Sequence, residues 1–220
     1  LLVLSSDDDS VPIHRPFFPR MKDEWKPLYP FMKNIWETYM FSNPNIKVLF
    51  VYGNSNIEKK EYDFLYPDIP ENISPGMLTK TFRAFKEIDS TYDYDFLIRT
   101  NLSTFWDLNK LEKRLDALPK EKCLTGSEII IKETEKNPYM HYVAGYDMVM
   151  SRDLIRCLIE NTEDCLKIQK YAEMEDFIIC GGIEKYASIV PQQYGLRNEA
   201  IQLNKSVFRS EEHTSELQSH

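Results

Sequence analysis

The chain has 220 residues, 42% hydrophobic and 28% charged, with a formal charge of −8. That length and balance fit one globular domain with a sizeable core. An acidic chain without a basic block argues against nucleic acid as the main partner, and no apolar run approaches the roughly 20 residues of a spanning helix, so no membrane segment is expected within these residues.

The ends read differently from the middle. The tail RSEEHTSELQSH at 209–220 resembles a translated sequencing adapter and is set aside from the fold. It carries Arg209 against Glu211, Glu212 and Glu216, which leaves about −6 for the rest. The start at Leu1 lacks an initiator Met, so the chain reads as a fragment, with residues 1–208 as one domain. Any membrane anchor would lie upstream.

In chain order, residues 1–5 predict a first strand, ending in the acidic run Asp7, Asp8 and Asp9. Prolines and aromatics punctuate the next stretch (Pro12, Pro16, Phe17, Phe18, Pro19, Trp25, Pro27, Pro30), with a helical segment over 31–39. IKVLFVY at 46–52 predicts a strand, closed by Gly53 and Asn54. A loop with Pro67, Pro70 and Pro75 precedes a helix over 76–90, where Leu78, Phe82, Phe85 and Ile88 recur at helical spacing. A buried strand over 96–98 leads into a polar turn over 99–103. A helix over 108–118 follows, stopped by Pro119. Residues 123–125 and 128–131 are short strand candidates, and 139–150 reads as loop then strand. A helix over 151–161 takes Ser151 as N-cap and Asp153 in its first turn. Residues 175–186 are helical with an interruption at Gly181 and Gly182. Strands alternating with helices give an α/β fold with a mostly parallel sheet and polar strand ends. There the sheet's carboxyl edge delivers ligand-contacting groups.

Five blocks carry more than periodicity. They are VLFVYG at 48–53, MLTKT at 77–81, RTNLSTFWDLNKL at 99–111, YMHYVAGYDMVMSRD at 139–153 and EDFI at 175–178. In this order they resemble the β-1,3-galactosyltransferase-like family of GT-A-fold glycosyltransferases, which includes galactosyl- and N-acetylglucosaminyltransferases and Fringe-type enzymes. The resemblance implies a GT-A-like, Rossmann-related α/β fold. It also implies inverting transfer of a hexose or N-acetylhexosamine from a nucleotide sugar, UDP-linked, to a saccharide hydroxyl. The family's third block typically reads KTDDDVF. Here Arg99, Thr100, Phe105 and Leu111 keep the frame, while Asn101, Leu102 and Ser103 stand where the aspartates belong. The aspartate motif is degenerate, which also makes a catalytically inactive nucleotide-sugar or glycan-binding relative the rival expectation.

Roles carried over from the resemblance follow the blocks. Asp176 is the expected catalytic base, with Glu175 orienting the acceptor or sharing that role. Donor-side contacts are expected from Ser5, Thr79, Lys80, Arg99, Thr100, Asn101 and Ser103. Contacts to the sugar or acceptor are expected from Tyr142, Gly145 and Asp147, the last two in the family's glycine run, with Tyr146 and Asp147 replacing its later glycines. Hard divalent cations want several anionic oxygens, and Asn101 and Ser103 offer neutral ones. Mn2+ or Mg2+ is therefore expected only if other carboxylates replace the motif. Otherwise Arg99 and Lys80 supply fixed positive charge to the diphosphate.

Plainer readings stand beside these. Arg99 also fits an ion pair with Asp93 or Asp95, Glu175 and Asp176 fit solvated first-turn acids, and Tyr142 fits the core. The segment from Ser5 to Asp9 fits an acidic turn. A phosphatase reading of that run lacks a second acidic cluster. His141 has no partner at metal spacing and reads as structural or surface. Cys123, Cys157, Cys165 and Cys180 match no zinc pattern. They read as free thiols, with a Cys157–Cys165 bridge open in a secretory setting. Asn72, Asn101 and Asn204 begin glycosylation sequons. A glycan on Asn101 would block the expected site, which favours a cytoplasmic setting over the Golgi lumen.

Overall fold

In the computed structural model of the chain, the described residues are 1–5, 28–131, 140–168, 175–192 and 200–202. The acidic run at Asp7–Asp9, the aromatic stretch through Trp25, Tyr139, the Asn204 sequon and the 209–220 tail lie outside them, as does the side chain of His141.

The central sheet has six strands: β1 (Leu2–Leu4), β2 (Leu49–Tyr52), β3 (Asp63–Leu65), β4 (Phe96–Asn101), β6 (Leu124–Thr125) and β9 (Asp147–Ser151). Their spatial order is β3-β2-β1-β4-β9-β6. β1 pairs in parallel with β2 and β4, and β2 with β3. β9 runs antiparallel to both β4 and β6. The sheet is thus mostly parallel with one reversed strand. Two small antiparallel pairs sit outside it, β7 (Glu128–Ile131) with β8 (Met140–Val143) and β5 (Thr104–Trp106) with β10 (Ala200–Gln202).

Period-two alternation sorts the strand residues to two faces. Leu2, Leu4, Leu49, Val51, Leu97, Met148 and Met150 join one core with α2 (Leu78–Thr91), α4 (Arg152–Glu160), α5 (Thr162–Ile168) and α6 (Glu175–Ala187). Val3, Phe50, Ile98 and Val149 join a second core with α1 (Leu28–Tyr39) and α3 (Leu108–Leu115). Both faces are covered, which is why these strands read as unbroken apolar runs. In α2 the expected stripe of Leu78, Phe82, Phe85 and Ile88 is the buried one. In the other layer, the fully buried Trp36 donates from Nε1 to the Leu102 carbonyl at 2.9 Å, tying α1 to the β4–β5 turn.

Several expectations need correction. β4 runs on through Arg99, Thr100 and Asn101, so the polar turn is only Leu102 and Ser103. The strand continues because those side chains find buried partners rather than water. α3 stops at Leu115, before the residues leading to Pro119. α6 passes through Gly181 and Gly182 without a break. Ser151 occupies the cap position of α4, but its hydroxyl donates to Asp153 Oδ1 at 2.6 Å and makes no cap bond.

The strand order reverses between β1 and β4. From β1 the chain steps outward to β2 and β3, then returns to β1's other side. Such a reversal of strand order is where open α/β sheets bind ligands, at the carboxyl ends of the strands.

Candidate functional site at the carboxyl edge of the sheet

Ser5 closes β1 and Asn101 closes β4, so both stand at the point where the strand order reverses. Arg99 lies on the face turned to α2 and α6, two residues after Leu97. It is 4% exposed. All three guanidinium nitrogens are engaged. Nε donates to Glu175 Oε1 at 3.4 Å, and Nη2 pairs with Glu175 Oε2 and reaches Met77 Sδ at 3.6 Å. Nη1 donates to Asn101 Oδ1 at 2.7 Å and to the Gly145 carbonyl. Neither Asp93 nor Asp95 is its partner. Arg152 takes Asp93 and Lys120 takes Asp95.

A second buried pair stands beside the first. Lys80 Nζ donates to Glu71 Oε1 and Oε2 at 2.9 and 2.8 Å and to the Ser5 carbonyl at 2.8 Å, which uses its three donors. Burial pulls the Lys80 ammonium below the usual lysine range, opposed chiefly by the Glu71 charge. Glu71 Oε1 also accepts the Gly53 amide at the end of β2, and Thr81 Oγ1 donates to Glu175 Oε1 at 2.5 Å. Two cations and two carboxylates therefore bind the ends of β1, β2 and β4 to α2 and α6. Such a cluster persists only when its members are paired and hydrogen-bonded.

Asp176 differs from this cluster in being half-buried. Its Oδ2 accepts the Gly145 amide at 3.1 Å and its Oδ1 the Phe177 amide at 3.0 Å. Tyr142 packs edge-on against Phe177 with centroids 6.3 Å apart. Burial, then the Asp176 and Cys180 charges, raise the Tyr142 phenol above its usual range. Gly145 sits between Asp176 and Arg99. A Cβ there would come within 2.5 Å of Arg99 Nη1, so the close approach that requires glycine is to the guanidinium.

The remaining expected residues divide. Thr100 Oγ1 donates to the Tyr146 carbonyl at 2.6 Å and accepts from Trp106 Nε1 at 3.2 Å. Asp147 is 1% exposed, with its carboxylate on the Ser127 amide and hydroxyl at 2.6–3.0 Å. Thr79 Oγ1 bonds back to the Pro75 carbonyl at 2.9 Å, and Ser103 is half-buried in its turn. Ser5 Oγ is buried with no hydrogen-bond partner among the described residues. Sequence reasoning missed Glu71 and Thr81. Glu71 lies in a proline-rich loop with no periodicity to mark it, and only its place between Pro70 and the helix entry was visible.

The cluster is a poor fit to a divalent cation. The Asn101 oxygen already faces a guanidinium, and both carboxylates serve cations. No group of three or more His, Cys, Asp or Glu side chains among the described residues is arranged to hold a metal.

Comparison with family models finds no match, and no curated protein matches the chain. No helix among the described residues is long and apolar enough to cross a membrane.

Proposed function

We propose that this domain is an inverting glycosyltransferase that moves a hexose or N-acetylhexosamine from a UDP-linked donor to a saccharide hydroxyl. The observation that carries the reading is Asp176. It is a half-buried carboxylate at the carboxyl edge of the sheet, held by the Gly145 and Phe177 amides and close enough to Tyr142 for its charge to raise that phenol. A base must be both fixed and reachable, and among the acidic residues of this edge Asp176 meets both conditions while Glu71 and Glu175 are sealed in ion pairs. In the proposed step Asp176 takes the proton of the acceptor hydroxyl. That oxygen forms a bond to the anomeric carbon as the carbon's bond to the diphosphate oxygen breaks. The nucleoside diphosphate leaves with the electron pair, and the configuration inverts. In this reading the acceptor meets Asp176, with the buried Gly145 and the core residue Tyr142 behind it. In the same reading the donor lies over the buried Arg99, Lys80, Ser5 and Thr100, and the partly exposed Thr79, Asn101 and Ser103 are the side chains it can meet. No step is routed through a metal.

The expected outcome for Asp176→Ala is transfer lowered by ~10²–10⁴-fold with donor binding within about threefold, measured by product formation and by calorimetry with UDP-sugars. Equal loss of both would remove Asp176 as the base. A second reading, a glycan- or nucleotide-sugar-binding protein without activity, is favoured by one observation: the buried Arg99 and Lys80 have their donors committed inside the protein. It predicts donor binding with no transfer in wild type.

A further inference from the structure

Gly145 is held on both sides. Its carbonyl accepts from Arg99 Nη1, and its amide donates to Asp176 Oδ2 at 3.1 Å. Arg99 also grips Glu175, the residue covalently before Asp176. A closed ring results, running from Arg99 to Glu175, along the chain to Asp176, across to Gly145 and back to Arg99. Arg99 and Glu175 are each 4% exposed, so the ring is sealed from water on its inner side while Asp176 remains partly exposed. The turn at 144–146 connects β8 to β9, and α6 begins at Glu175. Arg99 ties the one to the other, alongside the Gly145–Asp176 bond and the Val143 amide on Cys180 Sγ.

We infer that Arg99 is a positioning residue for Asp176, acting through Gly145 and Glu175 rather than on the donor phosphates. This rests on the reading of Asp176 as the base. A guanidinium suits the task because its planar fork reaches three acceptors in different directions at once. A lysine ammonium keeps the charge but not the fork.

The test uses Arg99→Lys, Asp176→Asn and the double variant in the full chain. Amide exchange of Gly145 is followed by NMR, and turnover is measured per donor-binding site, counted by calorimetry with the UDP-sugar. In Arg99→Lys the Gly145 amide is expected to exchange at least ~10-fold faster, the donor KM to stay within threefold, and turnover per site to fall about 10²-fold, the cost of misplacing a catalytic group by roughly 1 Å. Added to Asp176→Asn, the same change is expected to cost nothing more, since residues acting as one unit are not additive. Unchanged Gly145 exchange, or losses that multiply, would overturn the inference. If Arg99→Lys does not fold, the pair Arg99→Met with Glu175→Met removes both buried charges together and carries the same expectations. A wild-type chain that transfers no sugar would defeat the proposed function, while the exchange measurement would still decide whether Arg99 holds Gly145.

Discussion

At the scale of single residues, two glycines make opposite cases. A Cβ on Gly145 would meet Arg99 at 2.5 and 2.7 Å, and the guanidinium is too tightly held to yield. Gly145→Ala is expected to lower stability by about 1–3 kcal/mol, the usual cost of overpacking. Gly181 lies inside α6 with nothing within 4 Å of its would-be Cβ. Gly181→Ala is expected to raise stability by about 0.5–1 kcal/mol by removing backbone freedom from the unfolded chain. Urea unfolding of both variants checks the pair. Arg99, Gly145 and Glu175 were each legible as candidate site residues, because each falls in a motif block. That they bind one another was not, since contacts across 46 and 76 residues leave no mark in local pattern. Lys80 was legible for the same reason, and its partner Glu71 was not.

At the scale of elements, α2 and α4 are tied end to end by charge. Arg152 Nε meets Asp89 at 2.8 Å, Arg156 Nε meets it at 3.1 Å, and Arg152 also reaches Asp93. Burial pushes the Asp89 carboxyl up, but the bonds from Arg152 and Arg156 outweigh it and hold the group below its ordinary 3.8. With a depressed folded value, its stabilisation is present above pH 3.8 and is lost as pH falls through the folded value. Asp89→Asn is expected to cost about 1 kcal/mol at pH 7, and the gap to wild type to close on acidification below that range. Denaturant midpoints at several pH values measure it. Elements with a single apolar stripe, such as α2, were plain in the sequence. β3 and β5 were not, because three residues are too few to show a period. In α6 the buried residues Ile178, Ile179, Cys180, Gly182 and Ile183 spread round the helix, so its stripe is smeared and the glycine pair looked like a break.

Across the whole molecule, the α/β class was readable because both sheet faces are covered and the strands are uniformly apolar. The reversal of β9 was not, because alternation fixes which face a residue takes and leaves strand direction open. Burial of reactive groups in the two cores has its own consequence. It raises the thiols of Cys123 and Cys165 to about 11 and that of Cys180 to about 12, from 9.0. A raised acid stays protonated in the folded chain while the unfolded chain ionises. Stability is therefore full below pH 9.0 and falls as pH rises towards the folded values, each unit being worth about 1.4 kcal/mol per group. Urea midpoints are expected to hold between pH 7 and 8.5 and to drop by pH 10.5, with alkylation of these three thiols appearing only as the chain unfolds.

The neutrality of the buried cluster also bears on how fast a ligand arrives. Two cations matched by two carboxylates at hydrogen-bond distance cast almost no net field into solution, and the chain as a whole carries −8. Under the proposed function, an anionic nucleotide approaching the carboxyl edge gains no attraction from this cluster. Its association rate is expected to stay at or below roughly 10⁵–10⁷ M⁻¹s⁻¹. Added salt, which slows an electrostatically steered encounter, is expected here to leave the rate unchanged or raise it slightly, by screening the acidic surface. Stopped-flow binding at low and high ionic strength reads that sign directly.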